Sequence, residues 1–253
     1  MARTLLVGNS YLLKYCIALN TAGHTVDTIL IARTRLQTPE IVKLLEYVQE
    51  VGIALYVGDG KDLECLANKK DIDVLVSAGW PFIIPDSILN SFSSALNVHP
   101  SLLPEYKGHL ALWKMILDER DEAGLTVHFM THEIDSGPII VQERWPIEPF
   151  DTSNTLLAKF QQRGPAALVK ALKILKSSDF QPKQQTSSGS YCRTLTDNSI
   201  FQLSLESTLQ ENLRVIRASM PPQFPAYIRH EGQTMNIAIW PDTSCFPNGS
   251  KTP

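Results

Sequence analysis

The sequence predicts an α/β protein: a mostly parallel sheet with helices on both faces, followed by a small C-terminal α+β segment. Three observations carry this. Short apolar runs alternate with helix-period segments through the first 180 residues. Asp73 to Ser77 reads as a strand of the continuous apolar type, which belongs in a parallel sheet covered on both sides. The composition then changes at Gln181 to Ser190, a polar stretch suited to a linker. The expected organisation is a Rossmann-like domain over 1–180, a linker over 181–190, and a segment over 191–253 holding one helix and a β-hairpin.

The elements follow in order. Thr4 to Val7 is a strand, and Leu12, Leu13, Cys16, Ile17 and Leu19 recur at helical spacing until Gly23. His24 to Ile31 is a second strand. Thr38-Pro39 sets an N-cap and a first-turn proline ahead of a helix that stops at Gly52. Ile53 to Val57 is a third strand, Lys61 to Lys69 a short helix, and Leu96 to Val98 a fifth strand ending in the proline-bounded loop Pro100 to Gly108. A helix through Leu112, Met115 and Ile116 follows, then β-runs at Leu125 to Met130 and Ile139 to Trp145. Asn154 to Ser177 is amphipathic, and Gly164-Pro165 should kink or split it. The tail contributes a helix near Thr208 to Ala218 and β-runs at Tyr227 to Arg229 and Met235 to Trp240; its last dozen residues look frayed.

At 253 residues, 43% of them hydrophobic and 19% charged, the chain can bury a real core. A net charge of −3 gives no bulk attraction to nucleic acid or anionic lipid. Cys16, Cys65, Cys192 and Cys245 form no C-x-x-C pair, which reads as reduced thiols. The N-terminal apolar run is too short for a signal peptide, and no stretch nears the ~18 apolar residues of a membrane span. A cytoplasmic protein is expected.

Asn97 and His99 leave a strand two positions apart, so both point to one face at its carboxyl end. An amide donor beside an imidazole suits charge that develops on a carbonyl oxygen; alternatively Asn97 caps the turn and His99 packs under Pro100. Asp135, in the connector His132 to Gly137, could orient His99 or simply close an Asx-turn. The loop Gly8-Asn9-Ser10-Tyr11 lacks both the dinucleotide fingerprint and the P-loop pattern, so a nicotinamide enzyme is not expected. It still opens a helix, where Asn9, Ser10 and Lys14 could meet an anion or merely cap it. His128 and His132 lie four apart on a strand-like run, which argues against a shared metal. Cys65 and Trp113 read as core, and Lys69-Lys70 as a solvated face.

The run Asn97-Val98-His99-Pro100-Ser101-Leu102-Leu103-Pro104-Glu105-Tyr106-Lys107-Gly108 resembles the signature of the 10-formyltetrahydrofolate-dependent formyltransferases. His132 through Ile140, with Asp135 before Ser136-Gly137, is similar to that family's second motif. The resemblance implies Asn97, His99 and Asp135 as the catalytic set. It also implies folate against Ala78 to Pro85, with Trp80, Phe82, Ile83, Ile84, His132 and Ile134 as the contacting residues. Asn9, Ser10, Lys14, Ser101, Leu102 and Lys107 are the expected acceptor contacts.

The short Gly8-Asn9-Ser10 loop and the C-terminal extension differ from glycinamide ribonucleotide formyltransferases. Tyr191-Cys192-Arg193, Ile216-Arg217-Ala218 and Pro221 to Tyr227 are similar to the part shared by methionyl-tRNA formyltransferases and nucleotide-sugar N-formyltransferases. From residue 190 onward, Arg193, Arg214, Arg217, Arg229 and Lys251 balance Asp197, Glu206, Glu211, Glu231 and Asp242, a poor grip for tRNA. The resemblance is therefore closest to the nucleotide-sugar enzymes. It implies a nucleoside-diphosphate-linked amino sugar as acceptor, folate as one-carbon donor, no metal, no nucleic acid and no membrane. A homodimer and a role in surface polysaccharide such as O-antigen are implied likewise.

Overall fold

The computed structural model describes every residue except 1, 37, 69–70, 110, 187, 194, 222 and 240–253. Lys69-Lys70, Cys245 and the polar tail therefore lie outside the described residues, as does the last residue of the run expected to reach Trp240.

A seven-stranded sheet forms the body. Its strands are β1 (Arg3–Gly8), β2 (Thr25–Ala32), β3 (Ala54–Gly58), β4 (Val74–Ala78), β5 (Ser94–His99), β7 (Glu122–Phe129) and β8 (Ile139–Pro146), in the spatial order 3-2-1-4-5-7-8. The first five are parallel; β7 then runs antiparallel to β5, and β8 antiparallel to β7. A two-residue strand, β6 (Lys107–Gly108), pairs outside this sheet with β9 (Tyr191–Cys192).

Alternation within the strands divides the core between the faces. Leu6 joins one apolar cluster, under α1 (Leu12–Thr21), α5 (Ala111–Leu117) and α6 (Ser153–Ile174), while Leu5 and Val7 join the other. That second cluster lies under α3 (Gly60–Ala67) and α4 (Asp86–Leu89). The remaining long helix of the body is α2 (Thr38–Val51). It begins at Thr38 itself rather than after it.

Residues Gly164-Pro165 do not split α6, which runs unbroken across them. Gly164 is needed there for another reason: a Cβ would fall 2.1 Å from the Tyr15 hydroxyl of α1, so the two helices meet at bare backbone. The C-terminal part holds α7 (Leu209–Ala218) and a hairpin of β10 (Ala226–His230) and β11 (Gln233–Ile237). Helix α7 starts with a capping box, Thr208 and Glu211 each binding the other's backbone N–H. Ser153 Oγ donates to the Ala218 carbonyl and Arg217 Nε to the Asp151 carbonyl, tying α7 to the start of α6.

The stretch expected as a linker is pinned to the body. Lys183 exchanges backbone hydrogen bonds with Ile139 at 2.8 and 2.9 Å, and Lys107 N–H donates to the Ser190 carbonyl at 2.8 Å. Its polar composition serves hydrogen bonding rather than freedom from the domain. Among the described residues no helix is long and apolar enough to cross a membrane.

Candidate active site

The site grows from the β5–β7 ladder. In this antiparallel pair Asn97 stands opposite His128 and His99 opposite Thr126, so strand alternation sends all four side chains to one face. Asp135 arrives from the β7–β8 connector with φ 51°, a left-handed conformation that Asp tolerates better than most residues. Gly137 fixes the connector from below. A Cβ there would lie 2.0 Å from the Phe129 carbonyl oxygen, so only glycine lets the loop close this tightly.

The Asp135 carboxylate is the hub. Oδ1 accepts from Asn97 Nδ2 at 3.1 Å and lies 3.4 Å from His128 Nε2. Oδ2 accepts from the Gly108 backbone N–H at 2.8 Å and faces His99 Nδ1 at 3.4 Å. Burial opposes the charge, but His99, His128 and the Gly108 N–H outweigh it and hold the carboxyl well below its usual range.

His99 donates Nε2–H to the Tyr106 carbonyl at 2.9 Å, because a carbonyl can only accept. Its Nδ1 is then the nitrogen open to a proton, and it faces the carboxylate. Burial pushes the His99 pKa below the ordinary value, with Asp135 and the Tyr106 carbonyl opposing in part. His128 is fixed in the same way, its Nδ1–H donating to the Phe129 carbonyl at 2.7 Å. Its Nε2 lies 3.3 Å from Asn97 Nδ2, so the two hydrogens of the Asn97 amide point to Asp135 and His128.

The three expected catalytic residues are thus brought together, and their roles separate. Asn97 and Asp135 are hydrogen-bonded to each other at 3.1 Å. His99 does not present a free donor beside Asn97; its donating nitrogen is directed at Tyr106, and its other nitrogen belongs to Asp135. The sequence alone offers His128 only as a metal ligand, and its strand spacing to His132 argues against that. The pairing of two strands distant in sequence, not any local pattern, makes it part of this cluster.

A cavity of about 520 Å³ opens beside the cluster, lined by Lys107, Glu133, Ile134, Ser136, Gln185, Ser188 and Tyr191. Of the expected acceptor contacts, Lys107 lines it, largely buried, with Nζ donating to Ser136 Oγ at 2.9 Å. The others fall elsewhere. Ser101 is fully buried and its hydroxyl donates to the Glu105 carbonyl, while Leu102 packs over Gly124; both shape the loop rather than face a ligand. Asn9 and Ser10 are also turned inward, Asn9 Oδ1 accepting from Tyr11 N–H and the Asn9 amide lying against Gly79. Lys14, by contrast, is exposed.

The expected folate contacts form a shelf after β4. Trp80 and Phe82 meet edge to face at 5.3 Å, and Trp80 and Ile84 rest on the second core cluster with Met130. Ile83 is 75% exposed, an apolar side chain with nothing over it. The Trp80 indole N–H is buried with no partner among the described residues. An uncovered apolar ledge with an orphaned donor fits a flat heteroaromatic with acceptor atoms. From the facing connector, Ile134 is partly exposed and lines the cavity, and His132 is exposed. No cluster of three or more His, Cys, Asp or Glu among the described residues is placed to hold a metal ion.

Residues 59–172 match the family model described as formyl transferase, a span that contains Asn97, His99, His128 and Asp135. A methionyl-tRNA formyltransferase from Listeria innocua is 34% identical over 147 residues, covering 56% of this chain and 46% of that protein. The chain spans about half the length of the curated relatives it matches. Two solved structures share the fold. A sugar N-formyltransferase from Shewanella sp. superposes with a TM-score of 0.73 at 23% identity, over 94% of this chain and 97% of that one. HypX from Aquifex aeolicus, in complex with tetrahydrofolic acid, gives 0.72 at 17% identity, over 94% and 37%. Its two motifs, joined around one carboxylate, lie inside the matched span, so residues 59–172 of the chain are similar to the formyl transferase family.

Proposed function

We propose that this protein transfers a formyl group from 10-formyltetrahydrofolate to the primary amine of an amino-deoxy sugar carried on a nucleoside diphosphate. The observation that carries the reading is the Asn97–His99–Asp135 cluster, whose Asp135 lies between Ile134 and Ser136 of the 520 Å³ cavity's lining. Bound on the Trp80 to Ile84 shelf, the folate would supply an electrophilic formyl carbon.

The chain's own residues do the rest. The Asn97 amide is the donor for negative charge on the formyl oxygen, exchanging its long contact to His128 for that oxygen. The proton lost by the amine passes to the Asp135–His99 pair, which returns it to N10 of the departing tetrahydrofolate as the bond from N10 to the formyl carbon breaks. Asp135 is ionised and His99 is neutral at neutral pH, so Nδ1 can take the proton and the carboxylate stabilises the imidazolium. Lys107, the cavity's buried cation, is suited to an anionic part of the acceptor.

The sugar acceptor is supported by likeness along nearly the whole Shewanella enzyme, C-terminal part included. A methionyl-tRNA acceptor is the second reading, favoured by the names of the curated relatives. The balance of five basic and five acidic residues from 190 onward weighs against it. A role in surface polysaccharide and a homodimer belong to the same proposal. The test is incubation with 10-formyltetrahydrofolate and a panel of thymidine, uridine and guanosine amino-sugar nucleotides, beside methionyl-tRNA. A formylated nucleotide sugar in the mass spectrum establishes the reading; formylation of methionyl-tRNA alone replaces it.

A further inference from the structure

The chain after α6 runs as a strap alongside the catalytic cluster. One end is held by the Lys183–Ile139 backbone pair and the other by the pairing of β9 with β6. Its course near Pro104 needs glycine, since Gly189 has φ 64° and a Cβ there would lie 1.8 Å from the Pro104 carbonyl oxygen. Between these anchors, Gln185 Nε2 donates to the Asp135 carbonyl at 2.9 Å and to the Gly137 carbonyl at 2.7 Å. Both hydrogens of one amide are spent on the two carbonyls that flank Ser136. The amide has one workable orientation, because its oxygen in that place would face two acceptors.

We infer that Gln185 is a positioning residue: it clamps the peptide planes of Asp135 and Gly137 so that the Asp135 carboxylate meets Asn97 and His99. It touches none of the reacting groups. Asp135 sits in a left-handed conformation that a non-glycine residue keeps only when its surroundings hold it there. The connector's internal bonds, Ser136 N–H to the Glu133 carbonyl and Ser136 Oγ to the Ile134 carbonyl, leave the Asp135 and Gly137 carbonyls to Gln185. Gln185, Ser188 and Tyr191 of the strap also line the cavity, so a molecule seated there leans on the segment that orients the carboxylate. The kinetic consequence rests on the proposed formyl transfer; the placement of Asp135 rests on the geometry.

The test compares Gln185→Ala, which deletes the clamp, with Gln185→Glu, which keeps the shape and turns acceptors toward both carbonyls. Melting curves first confirm that each variant folds. The expected result is a fall in kcat of roughly 10- to 100-fold in both, as small misplacements of a catalytic group produce, with KM for either substrate changed by less than about threefold. The ring signals of His99 should shift in the NMR spectrum of both variants, since its carboxylate partner moves. If kcat and the His99 signals stay as in the unaltered protein, or if only KM rises, the clamp is not a positioning device. Should the unaltered protein formylate no acceptor, the functional reading fails by itself, and the His99 signals still decide the inference.

Discussion

The Asp135 carboxylate faces His99 Nδ1 at 3.4 Å through one oxygen while its other oxygen accepts from Asn97 at 3.1 Å, so one side chain sets the place of both. In the proposed mechanism, removing the Asn97 amide takes away the donor for charge on the formyl oxygen, which forms only in the transition state. Asn97→Ala should lower kcat by about 10²- to 10³-fold with a much smaller change in KM. Asp135→Asn keeps the shape but not the charge, and should lower kcat at least as far. Steady-state kinetics with whichever acceptor the panel assay finds check both.

The depressed His99 pKa fixes the sign of two pH effects. As the proposed base His99 must be neutral, so the acid limb of kcat/KM should lie below the ordinary histidine value of about 6.5. For stability, the unfolded chain binds a proton near that value and the folded chain does not until lower pH. Stability is therefore full above about pH 6.5 and falls as pH drops toward the folded value. His99→Asn should flatten the dependence of Tm between about pH 7 and pH 5; an equally steep dependence in that variant would assign the effect to another group.

Close backbone approach makes Gly137 and Gly189 sensitive positions. Gly137→Ala and Gly189→Ala should each cost roughly 2 kcal/mol in chemical denaturation, because a Cβ overlaps a carbonyl oxygen in both places. Both should also lose activity beyond what the stability loss explains, since each moves a wall of the cluster.

Tyr15 and Gly164 allow a test remote from the site. The buried Tyr15 hydroxyl has no partner among the described residues, so Tyr15→Phe should be neutral or stabilise by about 1 kcal/mol. Gly164→Ala should destabilise by about 1–3 kcal/mol in the unaltered protein and by much less in the Tyr15→Phe background. Thermal denaturation of the four proteins of this cycle measures the coupling.

The order of strands and helices was legible because each element carries its own signal: apolar runs for β1, β2 and β4, and helical spacing for α1. Gly164-Pro165 misled for a reason that is not local. A helix interior tolerates both where its face is sealed against Tyr15 of another helix. The antiparallel entry of β7 was likewise hidden, since a strand's direction depends on its neighbour and not on its own residues.

By itself the sequence determined the α/β body and the motif pair that carries Asn97, His99 and Asp135. Strand alternation and fixed spacing are properties of the chain alone. Only the tertiary structure decided that His128 joins them, that His99 spends one nitrogen on Tyr106, that Ser10 and Ser101 face inward, and that Gln185 holds the Asp135 loop. Those facts come from residues 7 to 50 positions apart meeting across strand pairings and loop contacts. Hydrogen-bond partners of that kind are chosen by packing, and no local pattern names them in advance.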